Sequence, residues 1–145
     1  MVRTKQFILI FCSFIAFYCC EAQSESKTHI NQKSNTMDLS KILNETVRQA
    51  VEALQANDKE AFYSHFTADA KFSDDGNEKD FKAFFDNAFN HKEKFLSLDK
   101  IENGGKNLEG DFFAGQWGTF KVFFNFTLNS DDKIERVDIG QVSKR

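Results

Sequence analysis

Few side chains in this 145-residue sequence stand where their types and spacing could do chemistry. Its three histidines are scattered. His29 lies in a polar stretch, His91 near the end of a helical pattern, and His65 beside Ala61, Phe62 and Phe66. His65 could serve as a general base or as a hydrogen-bonded wall residue. With no matched partner in sequence, the wall reading is preferred. No pair of histidines has metal-ligand spacing, and no histidine-cysteine-carboxylate cluster occurs. There is no Gly-x-Ser-x-Gly elbow and no phosphate loop, and Gly104-Gly105 reads as a hairpin turn. No metal or cofactor is implied. Asp74-Asp75-Gly76 is a turn signal. Tyr63 and Trp117 each join an aromatic body to a polar handle, which suits a pocket wall; Trp117 fits a buried core or an interface equally well.

These groups must be positioned by a small domain. Arg3 and Lys5 precede an apolar run from Phe7 to Tyr18, and Cys20-Glu21-Ala22 follows. This is the layout of a secretory signal peptide over residues 1–22, with an apolar run too short to span a bilayer. The alternatives are an uncleaved anchor and a lipoprotein signal at Cys19 or Cys20, against which bulky Tyr18 argues. The expectation is an exported protein, periplasmic or secreted, with no membrane contact after cleavage. All three cysteines lie in the leader, so residues 23–145 would fold without disulfides. Those residues carry 17 Lys and Arg against 21 Asp and Glu, with the signs interspersed. No basic stripe exists, so nucleic acid is not an expected partner. Fourteen of the 18 phenylalanines lie after the leader, enough aromatic carbon to fill a core or line an apolar pocket. Asn44-Glu45-Thr46 and Asn125-Phe126-Thr127 match the glycosylation acceptor pattern, which matters only in a eukaryotic secretory route.

Residues 23–36 read as a polar tether, followed by one domain over 37–145. Asp38 or Ser40 could cap a first helix, whose stripe runs Leu39, Ile42, Leu43, Val47, Ala50, Val51, Leu54. Asn57-Asp58 ends it and caps a short second helix carrying Phe62, His65 and Phe66. Ala70 to Ser73 predicts a short strand. Asn77 is the expected cap of a third helix with Phe81, Phe84, Phe85, Ala88 and Phe89 on its apolar face, fraying by Lys94. Four consecutive antiparallel strands follow, with the first over Phe95 to Glu102 and the second over Asn107 to Ala114. Gly115 and Gly118 suggest a bulge or bend. Thr119 to Leu128 alternates most clearly: Phe120, Val122, Phe124, Phe126 and Leu128 on one face, mostly polar residues on the other. Ile134 to Val142 closes the sheet.

The layout over about residues 38–142 resembles the nuclear-transport-factor-2-like (NTF2-like) superfamily, in particular its SnoaL-like members. The resemblance is carried by Phe66-Thr67-Ala68-Asp69-Ala70, by Gln116-Trp117-Gly118-Thr119-Phe120 and by Asp132-Lys133-Ile134-Glu135-Arg136-Val137-Asp138. It implies an α+β, cone-shaped fold with N-terminal helices packed on a strongly bent antiparallel sheet, and an apolar pocket inside. A leader ending in Ala22-Gln23 would suit an exported bacterial member. Steroid-isomerase-like relatives place a carboxylate base five residues beyond an Asp-Ala pair. Asp74, five beyond Asp69-Ala70, matches that position. The family's tyrosine donor would fall near Ala50 or Val51, neither of which can donate, and Asp75 replaces the proline that usually follows the base. Asp138 is a further carboxylate without an assigned orientation.

Three functions follow as expectations. The preferred one is an exported module binding a small apolar ligand, with a pocket lined by Phe62, Tyr63, Phe66, Phe72, Phe85, Trp117 and Phe124. The second is an isomerase, cyclase or dehydratase using Asp74 as general base. The third is a structural or protein-interaction domain whose pocket is filled. Phe123, and Trp117 if the strand continues past Gly118, would share the odd, otherwise polar sheet face and form a homodimer contact. Dimeric relatives point the same way.

Overall fold

In the computed structural model, which describes residues 37–143, the first long helix starts after Asn44 rather than near Asp38. The expected leader and tether lie outside the described residues. Helix α1 spans Glu45–Ala56, and Asn44 Oδ1 accepts the Val47 N–H at 2.9 Å. Asp38 caps only a 3-10 turn over Leu39–Lys41. The apolar stripe misled here because its first residues serve a different contact. The Asn44 N–H donates to the Gly104 carbonyl at 2.7 Å, which holds the backbone out of the helix. Ile42 is buried, but Leu43 is 79% exposed. From Val47 onward the stripe is core: Val47, Ala50, Val51, Ala53 and Leu54 are buried. Asn57 ends α1 in the left-handed region at φ 57°, and Asp58 caps α2, Lys59–Ser64.

Strand β1 is longer than its sequence suggests, Phe66–Asp74, so Phe66 belongs to the sheet and not to α2. Asp75 and Gly76 turn it into β2, Asn77–Lys79, with φ of 48° and 78°. Positive φ at both central residues is the two-residue hairpin geometry favoured by Asp-Gly. Asn77 therefore pairs with Asp74 in the sheet and caps no helix. Asp80 takes that role for α3, Phe81–Asn90, accepting the Ala83 N–H at 2.6 Å.

The expected strand over Phe95 to Glu102 is broken in two, β3 (Lys94–Phe95) and β4 (Lys100–Glu102). Both border β5, Asn107–Phe113. Between them, the Leu96 and Ser97 N–H groups both donate to the Asp111 carbonyl, while the Asp111 N–H donates to Ser97 Oγ at 3.1 Å. Two residues facing one make a bulge, which bends the edge of the sheet. Strands β6, Thr119–Leu128, and β7, Ile134–Gln141, lie as the alternation indicates. The sheet order is β2-β1-β7-β6-β5-β3, with β4 also on β5. Every pairing is antiparallel except β1 with β7, which is parallel and joins the first strand to the last. The helices pack against a curved, open sheet.

Val122, Phe124 and Phe126 of β6 are buried with Leu108 and Phe112 of β5 and Val137 and Ile139 of β7. Among the described residues no helix is long and apolar enough to cross a membrane.

Candidate functional site

The phenylalanines divide into two packed groups. In the first, the Phe62 ring centroid lies 4.7 Å from Phe66 and 4.8 Å from Phe85, and Phe72 lies 4.3 Å from Phe84. In the second, Phe95, Phe112 and Phe124 meet at 4.8–5.3 Å. These separations are those of favourable tilted and edge-to-face pairs. Between the two groups the interior is not filled. A cavity of about 350 Å³ lies between α3 and the inner face of the sheet.

Its walls come from distant parts of the chain. Helix α3 contributes Phe84, Phe85, Asn87 and Ala88. Strand β5 gives Phe112, followed by Ala114; β6 gives Phe120, Val122 and Phe124; β7 gives Ile139, Gly140 and Gln141. Ala88, Ala114 and Val122 are small residues among large ones, which leaves the space open. Trp117 stands at the cavity on a 3-10 turn, Gly115–Trp117, and is 71% exposed. That turn takes Trp117 off the line of β6, so it does not share the strand parity of Phe123.

Of the pocket residues expected from sequence, Phe85, Trp117 and Phe124 line this cavity. Phe62, Phe66 and Phe72 lie instead in the packed core beside it. Tyr63 is also outside the cavity. Its hydroxyl donates to Asp86 Oδ1 at 2.7 Å, and Lys82 sits 4.6 Å above its ring. Burial, aided by the charge of Asp86, raises the Tyr63 pKa well above the usual phenol range.

Asp74 lines the cavity. Strand alternation explains why. Asp74 shares the inner face with Phe72 and stands beside Ile139 of β7. Burial raises its pKa, the like charge of Asp75 adds to this, and Lys79 opposes. Asp75 also lines the cavity, and its Oδ1 accepts the Gln141 N–H at 2.8 Å. Asp138 does not line it. It lies on the opposite sheet face, accepting from Ser73 Oγ at 2.5 Å and from Arg136 Nε at 2.9 Å. Burial pushes its pKa up, but the Arg136 and Ser73 hydrogen bonds outweigh it and the pKa is lowered. His65 is likewise outside; burial and then Lys133 lower its pKa.

Three polar residues of the site, Asn87, Glu93 and Gln141, have no counterpart in the sequence expectations, and Glu93 is the charged one. Glu93 follows α3, lines the cavity and is only 7% exposed. Its carboxyl makes no hydrogen bond to another described residue. Desolvation raises its pKa, opposed by His91. In sequence it sits in His91-Lys92-Glu93-Lys94, which reads as a solvated charged run. Lys92, at φ 54°, turns the chain so that Glu93 faces inward.

The same architecture occurs in solved structures of low sequence identity. An NTF2-like protein of unknown function from Cytophaga hutchinsonii matches with TM-score 0.54 and 15% identity, over 65% of this chain and 84% of that one. A putative polyketide cyclase from Pseudomonas putida matches with TM-score 0.51 and 18% identity, over 67% of this chain and 89% of that one. The fold is the NTF2-like cone. An orange carotenoid protein from Anabaena, solved binding canthaxanthin, is also similar in part. It matches with TM-score 0.52 and 19% identity over 70% of this chain, which spans only 36% of that protein. No protein-family model matches the sequence, and no curated protein does.

Proposed function

We propose that this protein is a small-molecule-binding module whose ligand is a largely apolar compound held inside the NTF2-like cone. The observation that carries this reading is the cavity of about 350 Å³ between α3 and the sheet. Its size lies within the ~300–1,000 Å³ typical of small-molecule sites, and its largely apolar walls, rich in phenylalanine and carrying a few polar groups, fit that class. The neighbour solved with canthaxanthin supports ligand binding as a use of this architecture. The leader pattern supports placing the module outside the cytoplasm. The apolar, half-buried Phe123 on the outer sheet face supports a homodimer. Trp117 is the only tryptophan in the sequence and reports on its own cavity. Titration with n-octanol should change Trp117 fluorescence saturably. Val122→Phe, which fills the space, should remove that response while circular dichroism stays unchanged. A linear, non-saturating response would refute the reading.

A second reading is proton transfer with Asp74 as general base, favoured by its place on the cavity wall and its desolvated carboxyl. Deuterium exchange at the α-carbon of cyclohexanone, followed by NMR, tests it. Exchange catalysed by the unmodified protein and lost in Asp74→Asn is the expected result for a base. Equal exchange with and without protein would end this reading.

A further inference from the structure

The cavity carries a pronounced charge asymmetry. Three carboxyls line it, Asp74, Asp75 and Glu93, and among the described residues no Lys, Arg or His does. The nearest basic groups lie outside the wall. His91 acts on Glu93 from the end of α3, with its ring Nδ1 2.9 Å from the Asn87 carbonyl, and Lys79 acts on Asp74 from β2. Asp75 is already engaged by the Gln141 N–H. Glu93 differs from both aspartates. It is more than nine-tenths buried, lines the cavity and has no hydrogen-bond partner among the described residues. Its carboxyl faces the cavity, where a group of opposite charge would answer it more strongly than water does.

We infer that the cavity selects an apolar cation, a hydrophobic amine, whose ammonium group meets the carboxylate of Glu93. This rests on the ligand-binding reading above and narrows its ligand class. An organic anion would face three carboxyls and, among the described residues of the wall, no cationic partner. A neutral hydrocarbon would leave Glu93 unanswered. A metal ion needs several donors at one point, and no group of three His, Cys, Asp or Glu among the described residues could hold one. An alkylammonium needs one counter-charge and an apolar sleeve. Phenylalanine and tryptophan faces on the same wall also attract cations. Desolvation works against the Glu93 carboxylate in the free protein, and a bound ammonium group would reverse that balance.

The test compares n-octylamine, n-octanol and n-octanoate on the full chain at pH 7.5 by isothermal titration calorimetry. The amine is expected to bind at least about tenfold more tightly than the alcohol, a difference of about 1.4 kcal/mol, and the carboxylate most weakly. Glu93→Gln should reduce amine affinity to near that of the alcohol. If alcohol and amine bind equally, the amine inference is overturned while the ligand-binding reading stands. If none of the three binds, both are overturned. If Glu93→Gln keeps the amine preference, the role given to Glu93 is overturned. Should that variant fail to fold, the ranking of the three ligands on the unmodified protein decides the ligand class.

Discussion

Glu93 and Gly115 share a space with little room for a further carbon. A β-carbon built on Gly115 would lie 3.1 Å from Glu93 Oε1 and 2.8 Å from the His91 Cβ. Gly115 also holds φ 57°, in the left-handed region. The end of α3 and the turn that carries Trp117 are thereby pressed together. The contact links a buried carboxyl on the cavity wall to the tryptophan beside it.

Gly115→Ala should destabilise the domain through both effects. Left-handed backbone disfavours alanine by about 1–2 kcal/mol, and the crowding against His91 adds to it. The emission of Trp117 should shift at the same time, because the turn must move to admit the methyl group. Chemical denaturation and emission spectra together check this. An unchanged midpoint with an unchanged spectrum would show that the turn is not held against α3.

Glu93 should depress stability in the absence of ligand, and the effect should depend on pH. Its folded-state pKa is raised above the ordinary 4.5, so the folded protein holds that proton better than the unfolded chain. Stability from this group is complete below pH 4.5 and is lost as pH rises through the folded pKa. Glu93→Met replaces the carboxyl with an apolar side chain of similar size. It should stabilise the protein at pH 7, where the carboxylate is charged against its desolvation, with a smaller gain at pH 4. Urea denaturation at the two pH values measures the difference. A gain that is larger at pH 4 would contradict the burial of Glu93.

Strand β6 was legible in sequence because alternation is local: neighbours two apart fix which face is apolar, and Val122, Phe124 and Phe126 are buried accordingly. The cap of α1 was not, because the pull on Asn44 comes from Gly104, sixty residues away. Asn77 failed as a helix cap for the same reason, since pairing with Asp74 outweighs a local preference. The site was half legible. Asp74 followed from a matched position, and its inward direction then required the register with β7. The cavity itself needs Ala88, Ala114 and Val122 to be small together on three elements, which no local pattern encodes. Glu93 was hidden by its charged neighbours.

The two faces of β6 should respond differently to truncation. Phe124 is 2% exposed and packs on Phe95 and Phe112. Phe124→Ala should cost about 3–5 kcal/mol. Lys121, on the other face, is an exposed residue paired with Asp99 and Asp111. Exposed pairs contribute little, so Lys121→Ala should leave the midpoint within experimental error. Similar losses in the two variants would place the strand one residue out of register.

Phe123 provides the test of self-association. It lies on the same face as Lys121 and Asn125, half-buried, with its ring against Gly140: a β-carbon there would meet Phe123 Cζ at 2.7 Å. The ring therefore shields one strand of its own chain and leaves its remaining surface to solvent. A groove lined by Lys100, Glu102, Glu109 and Asn125 runs beside it. An apolar centre with a polar rim is the arrangement of a protein contact, and Phe123 supplies the only large apolar surface of that groove. Trp117 stands off the strand and does not contribute through strand parity. Phe123→Glu should shift the protein from dimer to monomer in light scattering after size exclusion, while circular dichroism confirms that the variant is folded. Unmodified protein that already runs as a monomer at tens of micromolar concentration would rule out the contact, because no substitution could then weaken it.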